Sequence, residues 1–290
     1  MKGTIVKGIA GFYYVKSGTE VYQCKARGVF KKEGITPFVG DQVEFDLGRD
    51  EEDDGLIREI GERKNQFVRP PIANVDCFAV VLAAARPKPN LSIADRFLVM
   101  AEKSGTDVIL CINKIDLAKG KTVSEILEIY RQIYPVVCLS GSTGEGIAEL
   151  REQMSGKRTA LAGPSGVGKS TILNRLIPGA GAETGDISEK TRRGKHTTRH
   201  CELFDLGGGT MIFDTPGFTS FDILEADEEE LQFLYPEMEP FVGQCRYDNC
   251  RHLKEPGCAV RQAVEDGEIT PCRYESYKDQ LKEIQEKKKY

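Results

Sequence analysis

The segment Gly163-Pro164-Ser165-Gly166-Val167-Gly168-Lys169-Ser170 follows the pattern G-x-x-x-x-G-K-S in full. It lies between an apolar run, Thr159 to Ala162, and a helix-spaced stretch from Lys169 to Leu176. Such a loop works only where a buried strand delivers the chain into a helix N-terminus, because backbone N–H groups and aligned peptide dipoles at that junction hold phosphate oxygens. The surrounding sequence meets that demand. Cys77 to Ala84 and Asp107 to Ile112 are continuous apolar runs of buried-strand type, and Pro135 to Leu139 is a shorter one. Helical spacing occupies Ser92 to Ser104, Thr122 to Ile133 and Ile147 to Met154. Strands alternating with helices predict a parallel sheet covered on both faces, with ligands at the carboxyl ends of its strands. In that frame Lys169 is expected to reach the β and γ phosphates of a nucleotide and Ser170 to ligate magnesium. Pro164, Ser165, Val167 and Thr171 complete the cradle between and beyond Gly163, Gly166 and Gly168.

Asn113-Lys114-Ile115-Asp116 directly follows a strand-like run and matches the N-K-x-D motif of GTPases. A carboxylate there accepts both the ring N–H and the exocyclic amine of guanine, a donor pair that adenine lacks on that edge. This disfavours an ATP-using kinase. Ser140-Gly141, after the next strand, stands where GTPases carry the Ser-Ala pair that supports the base, and glycine keeps the amide. Asp214-Thr215-Pro216-Gly217 ends the run Met211-Ile212-Phe213 and matches D-x-P-G, in which Asp214 would hold magnesium through water and the Gly217 amide would meet the γ phosphate. Singly, such a tetrapeptide is an ordinary turn. The order of the motifs is more telling. GTPases run phosphate loop, switch threonine, D-x-P-G, N-K-x-D and Ser-Ala, whereas this chain begins with Asn113 and Ser140 and then reaches Gly163 and Asp214. That is a circular permutation, which preserves a site as long as the same strands meet in one sheet. Between the phosphate loop and Asp214 lies the basic stretch Thr191 to His200. Thr197 and Thr198 both qualify there as the threonine that senses the γ phosphate, and Thr198 is taken with Ser170 as the magnesium pair. Phe218 stands where Ras-like enzymes place a water-orienting glutamine, so His196 is expected to supply that group, with His200 the weaker candidate.

The flanks differ in character. Gly11 to Val15, Glu20 to Cys24 and Gln42 to Phe45 are short β-type runs with glycine punctuation, the pattern of a small barrel. The acidic run Asp50 to Asp54 reads as a solvated hairpin tip, and Arg69-Pro70-Pro71 as a boundary. At the far end Cys245, Cys250, His252 and Cys258 give C-x4-C-x-H-x5-C, sufficient for one closed tetrahedral zinc with no position left for catalytic water. Cys272 lies outside that pattern, and Cys77, Cys111 and Cys138 sit in apolar runs as small hydrophobes. Clustered cysteines in a reducing compartment suggest metal before disulfide. The expected domains are a barrel over 1–66, a nucleotide domain over 67–222 and a zinc-binding domain over 223–290. A net charge of −5 over 290 residues excludes a polycation that coats nucleic acid without selectivity. No apolar run approaches the roughly 20 residues that span a bilayer, and Met1 to Lys7 lacks a signal-peptide core, so a cytoplasmic protein without membrane contact is expected.

Together, the barrel, the phrase Arg69-Pro70-Pro71-Ile72-Ala73-Asn74-Val75-Asp76, the permuted motifs, Gly194-Lys195-His196-Thr197-Thr198 and the Cys₃His set closely resemble the RsgA family, also called YjeQ or YloQ, over essentially the whole chain. The resemblance implies a multidomain α/β protein: an N-terminal OB-fold β-barrel, a circularly permuted P-loop GTPase domain and a C-terminal zinc-binding helical domain. It further implies a monomeric, 30S-stimulated GTPase that binds 16S rRNA and acts in late maturation of the 30S ribosomal subunit. Magnesium would accompany GTP, one zinc would be structural, and the role of the family's switch histidine falls on His196. Ser140-Gly141 departs mildly from Ser-Ala. Tyr13, Tyr14, Lys25, Arg27 and Lys31 are candidates for an RNA face on the barrel. The competing class is a GTP-regulated adaptor whose barrel and zinc module bind protein, which the acidic balance mildly favours.

Overall fold

A computed structural model describes residues 1–48, 53–177, 201–214 and 226–287. The first strands are β1 (Lys2–Ile9), β2 (Phe12–Ser17) and β3 (Glu20–Ala26). The short helix α1 (Gly28–Lys32) precedes β4 (Gln42–Asp46) and β5 (Gly55–Ile60), and a two-stranded ribbon follows, β6 (Gln66–Val68) with β7 (Pro71–Ala73). Strand–helix alternation then begins: β8 (Cys77–Ala83), α2 (Leu91–Lys103), β9 (Asp107–Asn113), α3 (Thr122–Tyr130), β10 (Val136–Cys138), α4 (Ile147–Gln153), β11 (Arg158–Ala162) and α5 (Lys169–Leu176). Strands β12 (Glu202–Gly207) and β13 (Thr210–Asp214) form a hairpin, and the chain ends in α6 (Ala259–Glu265) and α7 (Pro271–Lys287).

The chain divides into two compact units. The first comprises Met1–Phe78, Arg151–Leu161 and Leu173–Phe218. Its strands lie in the order β11-β13-β12-β1-β2-β3-β5-β4, and β1 pairs with β4 as well as β2. The second pairing closes β1 to β5 into a five-stranded barrel of OB type, with β3 and β5 parallel and the other barrel pairs antiparallel. Closure removes exposed edges. A register shift between Ile5 and Lys7 bends β1 so that one strand serves both neighbours. Alternation sets the inward face: Val43 and Phe45 are buried while Gln42, Glu44 and Asp46 are exposed, and Ile5, Val15, Cys24 and Ile57 fill the same interior. Asp54, at the end of the acidic run, pairs with Lys25 at 2.8 Å and accepts from Gln23 Nε2 at 2.6 Å, fastening β3 to the start of β5. The remainder of that run up to residue 52 lies outside the described residues. Arg27 and Lys25 are exposed, Tyr13 and Tyr14 are half-buried, and Lys25 also lies over the Phe12 ring at 5.1 Å.

The second unit comprises Ala79–Leu150, Ala162–Ile172 and Thr219–Tyr290. Its strands lie in the order β10-β9-β8, with β9 and β10 parallel. Every residue of β8 is buried, as expected of a strand covered on both faces. Helix α2 packs on β9 and α7, and Leu231, Leu234, Tyr235, Met238, Val260, Tyr277, Leu281 and Ile284 share one core with Val99 of α2. Helix α3 stops at Tyr130 rather than Ile133, since the Ile133 and Tyr134 N–H groups both donate to the Tyr130 carbonyl. Helix α7 begins at Pro271 rather than Tyr274, because proline is preorganised for the first helical position. Among the described residues, no helix is long and apolar enough to cross a membrane.

Candidate nucleotide site and metal cluster

The phosphate loop leaves β11 at Ala162 and enters α5 at Lys169, so the sequence motif sits on the strand-to-helix turn it requires. Two of its glycines are demanded by close approach. Gly163 has φ +140°, and a Cβ there would lie 2.4 Å from the Val81 carbonyl oxygen; Gly168 has φ +100°, and a Cβ would lie 2.3 Å from Asn113 Nδ2. The loop thus fits flush against β8 on one side and against Asn113 of the N-K-x-D segment on the other. Lys169 folds back over it, its ammonium donating to the carbonyls of Gly163 at 2.6 Å and Pro164 at 2.9 Å. Burial pushes the Lys169 ammonium down to about 8. A partly buried cation beside backbone N–H groups at a helix start fits a polyphosphate, which would return the electrostatic stabilisation that burial removes.

Asn113, at the end of β9, is the joint of the site. Its side chain is buried; Nδ2 donates to the Val167 carbonyl at 2.7 Å and Oδ1 accepts from the Gly141 N–H at 3.0 Å. One amide therefore ties the phosphate loop to the loop after β10. Lys114 adopts φ +64° and donates to the carbonyls of Arg86 and, at 2.6 Å, Gly166. Asp116 is exposed on the 3-10 turn Ile115–Leu117 and accepts from Ser142 Oγ at 3.2 Å. Ser140 is fully buried and holds its loop through Oγ, which accepts from the Thr143 N–H at 3.1 Å. The glycine at 141 has a local reason: a Cβ there would come 3.2 Å from Thr171 Cγ2 and 3.3 Å from the Ile172 nitrogen, pressing on the first turn of α5.

Asp214 ends β13 as the motif requires. His196, Thr197, Thr198 and Gly217 lie outside the described residues. The residues Asn113, Lys114, Asp116, Ser140, Gly141 and Gly163 to Thr171, scattered through the sequence, meet in the second unit. The bracing role of Asn113 went unread in the sequence, because a motif names the residues that touch the base and not those that hold the loops together.

The Cys₃His set converges: one ligand atom from each of Cys245, Cys250, His252 and Cys258 lies within 4.8 Å of all the others. His252 Nδ1 is 3.3 Å from Cys258 Sγ and 3.5 Å from Cys245 Sγ. Its Nε2 lies 2.9 Å from Gln232 Oε1, so that donating there directs Nδ1 into the cluster, the outer-shell arrangement usual for a metal-bound imidazole. The N–H groups of Ala259 and Arg261 point at Cys245 Sγ and Cys258 Sγ at 3.3 and 3.4 Å, an environment suited to thiolates. Burial pushes the Cys250 thiol up to about 12 and the His252 imidazole down, so a cation in the cluster would draw the proton from Cys250 and hold the imidazole neutral. Three soft sulfurs and one imidazole, closed on four sides, fit zinc. Glu255 shapes the loop by accepting from the N–H groups of Arg251, Leu253 and Lys254 at 3.0, 2.8 and 2.9 Å; these outweigh its burial and hold its carboxyl at about 2. Cys272 is not in the cluster; its Sγ lies 3.8 Å from Thr270 Oγ1.

A family model described as RsgA GTPase matches residues 60–224, and one described as RsgA N-terminal domain matches residues 2–57. A relative from Alkaliphilus metalliredigens, named small ribosomal subunit biogenesis GTPase RsgA, is 44% identical over 290 residues, covering 100% of this chain and 99% of that protein. One of the same name from Carboxydothermus hydrogenoformans is 47% identical over 286 residues, covering 98% of each. Among solved structures, YjeQ from Thermotoga maritima superposes with a TM-score of 0.84 at 36% identity over 98% of both chains. A second, described as YloQ, a circularly permuted GTPase, gives 0.81 at 37% identity over 99% of this chain and 95% of that one.

Proposed function

The chain belongs to the RsgA GTPase family, and from that membership we infer a small ribosomal subunit biogenesis GTPase that hydrolyses GTP to GDP and phosphate on the 30S subunit. The observation that carries the nucleotide assignment is the Asn113 side chain, which joins the phosphate loop to the base loop through two hydrogen bonds and makes one site of two distant motifs. Asp116 would read guanine, with Ser140 and Gly141 backing the base. Gly163 to Gly168 would wrap the phosphates, Lys169 would reach the β and γ phosphates, and Thr171 would complete the first turn. Ser170 and Thr198 would hold magnesium, with Asp214 acting through water, while Thr197 or Thr198 and Gly217 sense the γ phosphate. Magnesium, when bound, neutralises charge on the phosphate oxygens. His196 would orient the attacking water in place of the glutamine that Phe218 replaces.

We assign the barrel to 1–66, the permuted GTPase domain to 67–222 and the zinc-binding domain to 223–290. Zinc would be held by Cys245, Cys250, His252 and Cys258 and would supply folding energy to a short module. The chain would act as a cytoplasmic monomer, its barrel and zinc module gripping 16S rRNA. The test is GTP turnover by the protein alone, with 30S and with 50S subunits. Strong stimulation by 30S alone is expected, together with its loss by about 100-fold or more in His196→Ala at nearly unchanged GTP affinity. Near-wild-type stimulated turnover in that variant would remove His196 from the mechanism. Equal rates with and without 30S would favour a protein-binding adaptor.

A further inference from the structure

A buried polar constellation of the second unit lies apart from the phosphate loop and the Cys₃His cluster. Arg273 of α7 is fully buried and has two carboxylate partners. Its Nη1 donates to Asp95 Oδ1 of α2 at 2.6 Å; its Nε and Nη2 donate to Glu237, in the turn after Tyr235, at 2.6 and 3.1 Å. The guanidinium carbon lies 4.5 Å from the Tyr235 ring centroid, 5.6 Å from Tyr130 and 6.0 Å from Tyr134. Tyr130, the last residue of α3, donates its hydroxyl to the same Asp95 oxygen at 2.7 Å. Burial opposes the Arg273 charge, and Asp95 and Glu237 outweigh it, keeping the guanidinium protonated.

A buried ion cluster of this kind contributes little net stability compared with apolar packing, because desolvation offsets attraction; its attested use is to fix register. The register fixed here follows from the path of the chain. Between Asp95 and Tyr130 run the rest of α2, all of β9, the Asn113 to Asp116 motif and α3. The Tyr130 to Asp95 hydrogen bond closes that excursion at its base, and Arg273 locks the closure from α7. At the other end of α2, Thr106 N–H and Oγ1 donate to the Ala101 carbonyl at 3.2 and 3.0 Å, so a rotation of the helix passes directly into β9.

We propose that Arg273, through Asp95 and Tyr130, is a positioning element for the guanine-binding loop, so that the C-terminal helix α7 sets the geometry with which Asn113 and Asp116 meet the nucleotide. The inference rests on the guanine assignment above. It also supplies a role for the C-terminal module inside the nucleotide site. A second link between the same two helices offers a control: Arg96 of α2 pairs with Glu283 of α7, but at partial exposure and without reaching α3.

The experiment measures dissociation constants for GDP and ADP and 30S-stimulated kcat and KM for GTP, on the full chain and on Tyr130→Phe, Arg273→Lys and Arg96→Ala. Tyr130→Phe removes one hydroxyl and keeps the ring, so it tests the closure even where Arg273→Lys fails to fold. Expected is a GDP affinity weakened about 3- to 10-fold in Tyr130→Phe and further in folded Arg273→Lys, with KM raised, kcat retained and Arg96→Ala unchanged. Loss of folded protein alone would give the reverse pattern, kcat reduced at constant KM. Wild-type GDP affinity in Tyr130→Phe overturns the proposal, as does an equal loss in Arg96→Ala. Equal GDP and ADP affinity in the wild type overturns the guanine assignment, and this proposal with it.

Discussion

Lys169 shows how a single side chain can report ligand binding through protons. Burial lowers its pKa from 10.5 to about 8. A lysine depressed in this way binds fewer protons folded than unfolded between those two values, so burying the ammonium costs stability fully below pH 8, and that cost fades as pH rises toward 10.5. Polyphosphate selects the protonated form and raises its pKa. Binding of GDP should therefore take up about half a proton per site at a pH near 8, and affinity should fall as pH rises above that. Calorimetry at pH 8 in two buffers of different ionisation enthalpy measures the uptake, and a value of zero would show that Lys169 does not meet the phosphates. The same residue illustrates what the sequence made legible. The motif named Lys169 and its target, because spacing along one turn is local, but its posture over the Gly163 and Pro164 carbonyls depends on neighbours that spacing does not encode.

At the scale of elements, legibility followed the range of the determining interactions. The core strands β8 and β9 and helix α5 announce themselves through apolar runs and a loop motif, and each lies within a residue or so of its expected bounds. Strand β1 was not read, because Lys2 to Ile9 mixes charge with apolar residues and its two-sided pairing with β2 and β4 is a property of the closed barrel. Strand β12 was missed too, although Gly207-Gly208-Gly209 before Thr210 is a usable hairpin signal. The Arg273 cluster is the extreme case, since its members come from four segments with no pattern in common. The zinc module stands between these extremes: spacing named all four ligands, while Gln232, which orients His252, is legible only in three dimensions. One zinc per chain is expected by metal analysis of protein purified without chelator. Cys250→Ala should lose it and render residues beyond 226 protease-sensitive, while GDP still binds, weakened no more than in the Arg273 variants. A metal-free wild type, or a variant that retains full protease resistance, would contradict the ligand assignment.

For the whole molecule, the permutation decides what the switch is attached to. In the usual motif order D-x-P-G is followed by the guanine-reading half of the sheet; here the chain continues from Asp214 into the C-terminal module that carries the Cys₃His cluster and α7. Two connections would then run from that module to the nucleotide. On the proposed assignment one is covalent, through Gly217, which would meet the γ phosphate; the other is the Arg273 to Asp95 lock, which would act on the guanine end. If both hold, a partner that grips the module acts on both ends of the nucleotide, with the phosphate that distinguishes GTP from GDP at the covalent end. Linkage makes the effect mutual: if docking on the 30S subunit favours the γ-phosphate-bound switch, the γ phosphate must favour docking by the same factor. Binding of 30S subunits should accordingly be tighter with a non-hydrolysable GTP analogue than with GDP, by about 5- to 150-fold for a coupling of ordinary size. Tyr130→Phe, which loosens only the guanine end, should weaken both nucleotides alike and leave that ratio intact. Sedimentation of the protein with 30S subunits in the two nucleotide states measures it. Identical affinity in both states would mean that the module is tethered to the switch without sensing it.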